Sequence, residues 1–177
     1  MMKLKHYCRI AGYAILPVKT YLKLCYKYVY KRTLHLDEPK AFSEKLYWLK
    51  LYYQNHIKDL IQKCYDKYTV REYVTDKAGK EYLNTLYGVY DSADEINFDK
   101  LPDSFVLKIT QSSGMNIICT DKQKLNIESV KKTLDKWLKI ANKAHYQEQS
   151  NYFNGKARII CEKLLQLEKG GIPSDYR

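Results

Sequence analysis

The sequence predicts an α+β protein built as a basic helical arm, a mostly helical stretch and a mixed α+β unit. Three observations predict it. Residues 18–32, VKTYLKLCYKYVYKR, place lysines at every fourth position, which forms one basic stripe on a helix. Residues 42–78 then keep apolar residues at helical spacing. After Gly79 the texture changes to short apolar runs parted by turns, with FVLKI and MNIIC on either side of a small polar loop.

The chain has 177 residues, 45% of them apolar, with seven Gly and four Pro. That is enough for a real core and argues for an ordered protein. Five cysteines, none in a C-x-x-C pair, and four scattered histidines signal neither a disulfide framework nor a metal site. A reducing, cytoplasmic setting is expected.

Of the net charge of +11, the first 36 residues supply +8, because they hold eight Lys/Arg and no acid. Their apolar run IAGYAILPV is too short to span a bilayer and contains Pro17, so it is read neither as a span nor as a signal peptide. For the arm, residues 1–36, three readings stay open: a solvated face of a packed helix, a helix on an anionic membrane surface through residues 1–32, or a nucleic-acid contact, which ranks last.

The segment 37–104 is predicted mostly helical with short strands. One helix should start near Ser43, with Phe42, Leu46, Leu49 and Tyr53 facing the core and Trp48 and Tyr52 widening that stripe. A second should run from about Asp59 to a stop at Gly79, with an interruption near Asp66, an N-capping residue type, and with Lys58, Lys63, Lys67 and Arg71 along it. Leu86 to Tyr90 is a short apolar run, and Ser92-x-x-Glu95 has the spacing of a capping box.

The segment 105–177 opens with a hairpin, Phe105–Ile109 and Met115–Cys119, closed through Gln111 to Gly114. Alternation puts Phe105, Leu107 and Ile109 on one face and Val106 and Lys108 on the other. Lys108 therefore points outward or into a cleft, beside a loop of Thr110, Ser112, Ser113 and Gly114 whose hydroxyls and open backbone N–H groups suit a phosphate. A helix follows Asn126, with Ile127, Val130, Leu134, Trp137, Leu138 and Ala141 on its apolar face. Asn154-Gly155 is a turn signal, and residues 157–165, ARIICEKLL, read as a buried strand. Its end, Glu162-Lys163-Leu164-Leu165, combines a carboxylate and backbone groups with apolar neighbours, as an adenine ring requires. Neither G-x-x-x-x-G-K-[ST] nor G-x-G-x-x-G occurs.

Taken together, LDEPKAFSEKLYWLKLYY, YDKYTVREYV, LYGVYDSADEINFDKLPDSFVLK, SGMNIICTDKQKLNIESVKKTLDKWLK, RIICEKLL and GIPSDYR, in that order over about residues 37–177, resemble the TupA-like ATP-grasp family of bacterial cell-surface polysaccharide biosynthesis. The family is named for teichuronopeptide synthesis and is also labelled as capsule protein or glycosyltransferase. The resemblance implies an ATP-grasp-like fold, here incomplete, and an ancestral carboxylate–amine ligase acting through an acyl phosphate. It implies that Lys108 and, earlier, Lys67 hold the ATP phosphates, that Ser112, Ser113 and Gly114 form the loop over them, and that Glu162, Lys163 and Leu165 belong to the hinge beside adenine. It assigns no catalytic residue. The family's Asn-His-Gly-Ser-Gly is here Thr110-Gln111-Ser112-Ser113-Gly114, which predicts a weaker grip on phosphate. Family ligands for Mg2+ follow a segment like Ile172 to Tyr176, where this chain reaches Arg177, so little or no catalysis by these residues alone is expected. Three readings stay open: a truncated gene product, a pseudoenzyme, or one half of a split enzyme completed by another polypeptide. Asp121, Glu128 and Asp175 read as surface groups. The expected site is cytoplasmic, with attachment at the inner face of the plasma membrane through the arm as the further option. The alternatives are a basic module binding anionic lipid or nucleic acid, and a glycosyltransferase of capsule synthesis, although no D-x-D motif occurs.

Overall fold

The computed structural model describes residues 15–143, 155–166 and 171. The first part of the arm, Asn154, and the stretch from Ile172 to Arg177 with Asp175 lie outside the described residues. The chain forms two compact units, Met1–Lys63 with Ala144–Asn154, and Cys64–Lys143 with Gly155–Arg177. Among the described residues there are five α-helices and one four-stranded antiparallel sheet, an α+β architecture.

In the first unit, α1 (Val18–Tyr30) starts after Pro17, whose fixed φ suits a helix entry. It ends at Lys31 in the left-handed region, φ 56°, with the Lys31 N–H donating to the Lys27 carbonyl. Tyr21, Leu22 and Tyr26 face inward and form a core with Leu34 and Leu36, against which Tyr47 and Leu51 pack.

Helix α2 (Phe42–His56) opens on Glu44, whose carboxylate accepts from the backbone N–H groups of Ala41, Lys40 and His35. Those donors, Ala41 first, hold its pKa below the ordinary carboxylate value. The inward face of α2 differs from the expected one. Ser43 bonds the Tyr26 hydroxyl at 2.9 Å and Tyr47 and Leu51 meet the core, whereas Phe42 is 76% exposed and Leu46 42%. This helix is apolar or aromatic on most sides, so spacing alone could not select the face.

Helix α3 (Lys58–Tyr65) crosses the division along the chain and ends at Asp66. The Asp66 carboxylate accepts from the N–H groups of Tyr68 at 2.8 Å and Thr69 at 3.0 Å, closing the turn that leads into α4 (Val70–Lys77). Gly79 ends that helix with φ +112°, a conformation side chains resist. The predicted long helix is thus two helices joined at the predicted interruption.

Strands β1 (Leu86–Tyr90), β2 (Phe105–Ile109), β3 (Asn116–Cys119) and β4 (Ile159–Lys163) lie in the order β1-β4-β2-β3. The last of the described strands is therefore inserted between the first two. Register pairs Leu107 with Cys161, Val106 with Glu162 and Lys108 with Ile160. Ser92 makes no side-chain cap; Glu95 instead accepts from the Asp91 N–H at 2.8 Å, one residue earlier than a capping box requires, and only a short 3-10 turn, Ala93–Glu95, follows.

Helix α5 (Ile127–Lys143) begins where the Asn126 side chain accepts from the Ser129 N–H at 2.9 Å. Its Val130, Leu134, Leu138 and Ala141 cover one face of the sheet, meeting Phe105, Leu107, Ile109, Ile159 and Cys161 in one core, with Trp137 at its margin. Ile127, expected on that face, is exposed at the first turn.

Candidate functional site

The opposite face of the central strands carries Val106 and Lys108 from β2 and Ile160 and Glu162 from β4. Ile160 has no exposed surface and Val106 is buried, so this face is covered as well, but by a polar layer. Lys108 donates to Glu162 Oε2 at 2.7 Å, and Arg71, from α4, donates to Glu162 Oε1 at 3.1 Å. The second guanidinium nitrogen of Arg71 reaches the Asn84 carbonyl at 2.7 Å. Asn84 Nδ2 donates in turn to the Lys163 carbonyl at 2.8 Å, while the Lys163 N–H donates to the Thr85 carbonyl at 2.9 Å.

Lys67 sits just after Asp66 and turns its ammonium onto the loop that follows β2. It donates to the carbonyls of Ile109 (3.0 Å), Thr110 (3.3 Å) and Ser112, while its own N–H donates to the Thr110 carbonyl at 3.1 Å. Burial lowers its pKa, and the positive charge of Lys108 lowers it further against the pull of Asp66 and Glu162. Lys67, Lys108 and Glu162 therefore share one electrostatic neighbourhood. With Arg71 added, three cations gather around two carboxylates, Glu162 and Asp66.

The loop is anchored on its other side too. Thr110 exchanges hydrogen bonds with the backbone of Arg158, whose guanidinium lies 4.4 Å from the centre of the Tyr68 ring. Gln111 is buried and donates to Asp66 Oδ2 at 3.1 Å, leaving its Oε1 buried without a partner among the described residues. Ser112 bonds back to the Ile109 carbonyl, while Ser113 and Gly114 are exposed, Gly114 at φ +75° with open space where a Cβ would lie.

The structure thus brings Lys67, Lys108 and Glu162 together and carries Ser112 at the loop Lys67 clamps. Ser113 and Gly114 stand at the loop tip, and Lys163 and Leu165 are exposed at and beyond the end of β4, with Leu164 buried between them. The sequence reading placed Arg71 on a helix without assigning it a role. Its available signal was its place four residues after Lys67, just beyond the break at Asp66. Asn84 carried no comparable signal.

Among the described residues no three His, Cys, Asp or Glu side chains converge. Asp121 is engaged by Lys124 at 3.0 Å and by the Gln123 N–H, and Glu128 stands exposed in the first turn of α5. No described helix is long and apolar enough to cross a membrane.

An antiparallel sheet with a helix on one face and a charged cluster beside a small-residue loop on the other defines an α+β unit. The sequence matches the TupA-like ATPgrasp family over residues 44–177, and the chain belongs to that family. No curated protein and no solved structure gives a significant match.

Proposed function

We infer that the second unit binds ATP, with its phosphates held at the Lys108 and Arg71 side of the cluster and its base beside the end of β4 at Glu162, Lys163 and Leu165. One observation carries this reading. Lys108 and Arg71 are charged groups on different elements that converge on a single carboxylate, with Lys67 close enough to feel it. Three positive charges facing two carboxylates, Glu162 and Asp66, leave an excess that a polyphosphate would neutralise. Lys67 spends its donors on three carbonyls, so its part is to hold the Thr110–Gly114 loop in shape, and Lys108, which is 31% exposed, is the lysine that can reach a phosphate.

Family membership supports the wider reading, a role in bacterial surface-polysaccharide synthesis with carboxylate–amine ligase chemistry. In that chemistry a carboxylate oxygen attacks the terminal phosphorus of ATP, ADP leaves, and an amine then displaces phosphate from the acyl carbon and gives up its proton. The residues described here would bind and orient the triphosphate.

Titration calorimetry with ATP tests the binding. Lys108→Ala and Arg71→Ala should each weaken ATP about tenfold or more, the scale of a lost hydrogen bond to a charged group, with circular dichroism unchanged. Unaltered ATP affinity in both variants, or none in the native chain, would refute the assignment.

A further inference from the structure

The first unit carries a surface unrelated to the nucleotide cluster. Helix α1 uses Tyr21, Leu22 and Tyr26 inside its own unit, so its apolar stripe is already occupied. Its outward side shows Lys23, Lys27 and Lys31 at successive turns, continued by Arg32, all exposed. Among the described residues only Lys19 of this stripe has an acidic partner, Asp37 at 3.4 Å. Beside the lysines lie Leu24, 53% exposed, and Tyr28, 63% exposed, one turn apart, with Val29 following.

We propose that this outward face of α1 adsorbs onto an anionic lipid bilayer. Charge complementarity selects the occupant: the exposed side of α1 carries Lys23, Lys27, Lys31 and Arg32 and no acid of its own, Asp37 and Glu38 standing only at its Lys19–Lys23 end. Clustered Lys and Arg bind negatively charged leaflets roughly in proportion to their number. Leu24, Tyr28 and Val29 add groups that a headgroup region accepts and that a soluble polyanion has no use for. The aromatic rings argue against single-stranded nucleic acid, which needs free ring faces for stacking. The Lys31 ammonium lies 4.8 Å from the Tyr28 ring centre, Tyr30 packs on Tyr26 at 4.6 Å, and in α2 Trp48, Tyr52 and His56 stack on one another. Because the inward face is occupied, adsorption is electrostatic first and shallow.

Co-sedimentation of the whole chain with phosphatidylcholine vesicles, with and without phosphatidylglycerol, tests this. Binding is expected only with phosphatidylglycerol, fading as salt rises. The variant Lys27→Glu/Lys31→Glu should lose about tenfold or more, and Lys27→Ala/Lys31→Ala somewhat less, while Leu24→Ser/Tyr28→Ser should bind at low salt and release at a lower salt concentration than the native chain. The nucleotide-site variant Lys108→Ala should bind vesicles like the native chain, which separates failure here from failure of the ATP reading. Equal binding to both vesicle types, charge variants that bind as the native chain does, or retention of an oligonucleotide without any vesicle binding would overturn the proposal.

Discussion

The two faces of the central strands share a backbone and differ in everything else. Toward α5, Phe105, Leu107, Ile109, Ile159 and Cys161 are almost wholly without exposed surface. That face is apolar throughout. On the other side Val106 and Ile160 are equally hidden, yet between them stand Lys108 and Glu162, joined at 2.7 Å and overlaid by Arg71. Burial on the first face is favourable in itself; on the second it is tolerable because each charged group keeps a partner. The difference teaches where each face can spend its energy, one on stability and the other on a charge arrangement that a ligand can alter.

The largest expected effect lies on the apolar face. Leu107→Ala should lower the unfolding free energy by about 2–5 kcal/mol through lost burial and a residual cavity, measured by urea denaturation, without a specific change in ATP affinity while the chain stays folded. On the polar face Glu162→Gln should cost less, about 1–3 kcal/mol, because Lys108 is partly exposed and water can compensate. The same substitution should tighten tripolyphosphate binding in calorimetry, since the cations lose one resident anion. If it weakens polyphosphate binding instead, Glu162 supports the site in some way other than by competing for its cations.

Smaller again, Lys67→Met should remove a cation from three loop carbonyls at a cost of about 1–2 kcal/mol and speed amide exchange selectively over residues 110–114. Uniform acceleration across the sheet would show that the clamp serves the whole fold instead of the loop.

The smallest effect is a pH dependence. Desolvation first, then the charge of Glu162 and the neighbouring Cys119, pushes the Cys161 thiol from 9.0 up to about 12. The folded state thus keeps a proton that the unfolded chain releases, so stability should fall as pH rises from about 9 toward 12. The stability difference between pH 8 and pH 10, on the order of 1 kcal/mol for this group, should shrink in Cys161→Ala, and native Cys161 should resist iodoacetamide where half-buried Cys64 reacts.

Much of the second unit was legible because its signals were local. The alternation of FVLKI, the break at Asp66, the Asn126 cap and the apolar face of α5 each follow from residues a few positions apart. Helix α2 was legible as a helix but not in its orientation. Phe42 and Leu46 looked like core residues, and Ser43 and Glu44 did not, yet Ser43 meets Tyr26 while Glu44 is buried on backbone donors. A helix apolar on most sides is oriented by its neighbours.

The candidate site shows the same boundary. Lys108 could be placed on the polar face of β2 from alternation alone, and family resemblance singled out Lys67 and Glu162. That Glu162 answers both Lys108 and Arg71, and that Lys67 closes on the carbonyls of Ile109, Thr110 and Ser112, required β4 to enter the sheet between β1 and β2 and α4 to lie beside it. By itself the sequence determined most of the elements, the break at Asp66, the Asn126 cap and the two faces of β2, because those depend on interactions within a few residues. Only the tertiary structure decided which charges meet, because Arg71 and Glu162 are 91 positions apart and no local pattern carries information across that distance.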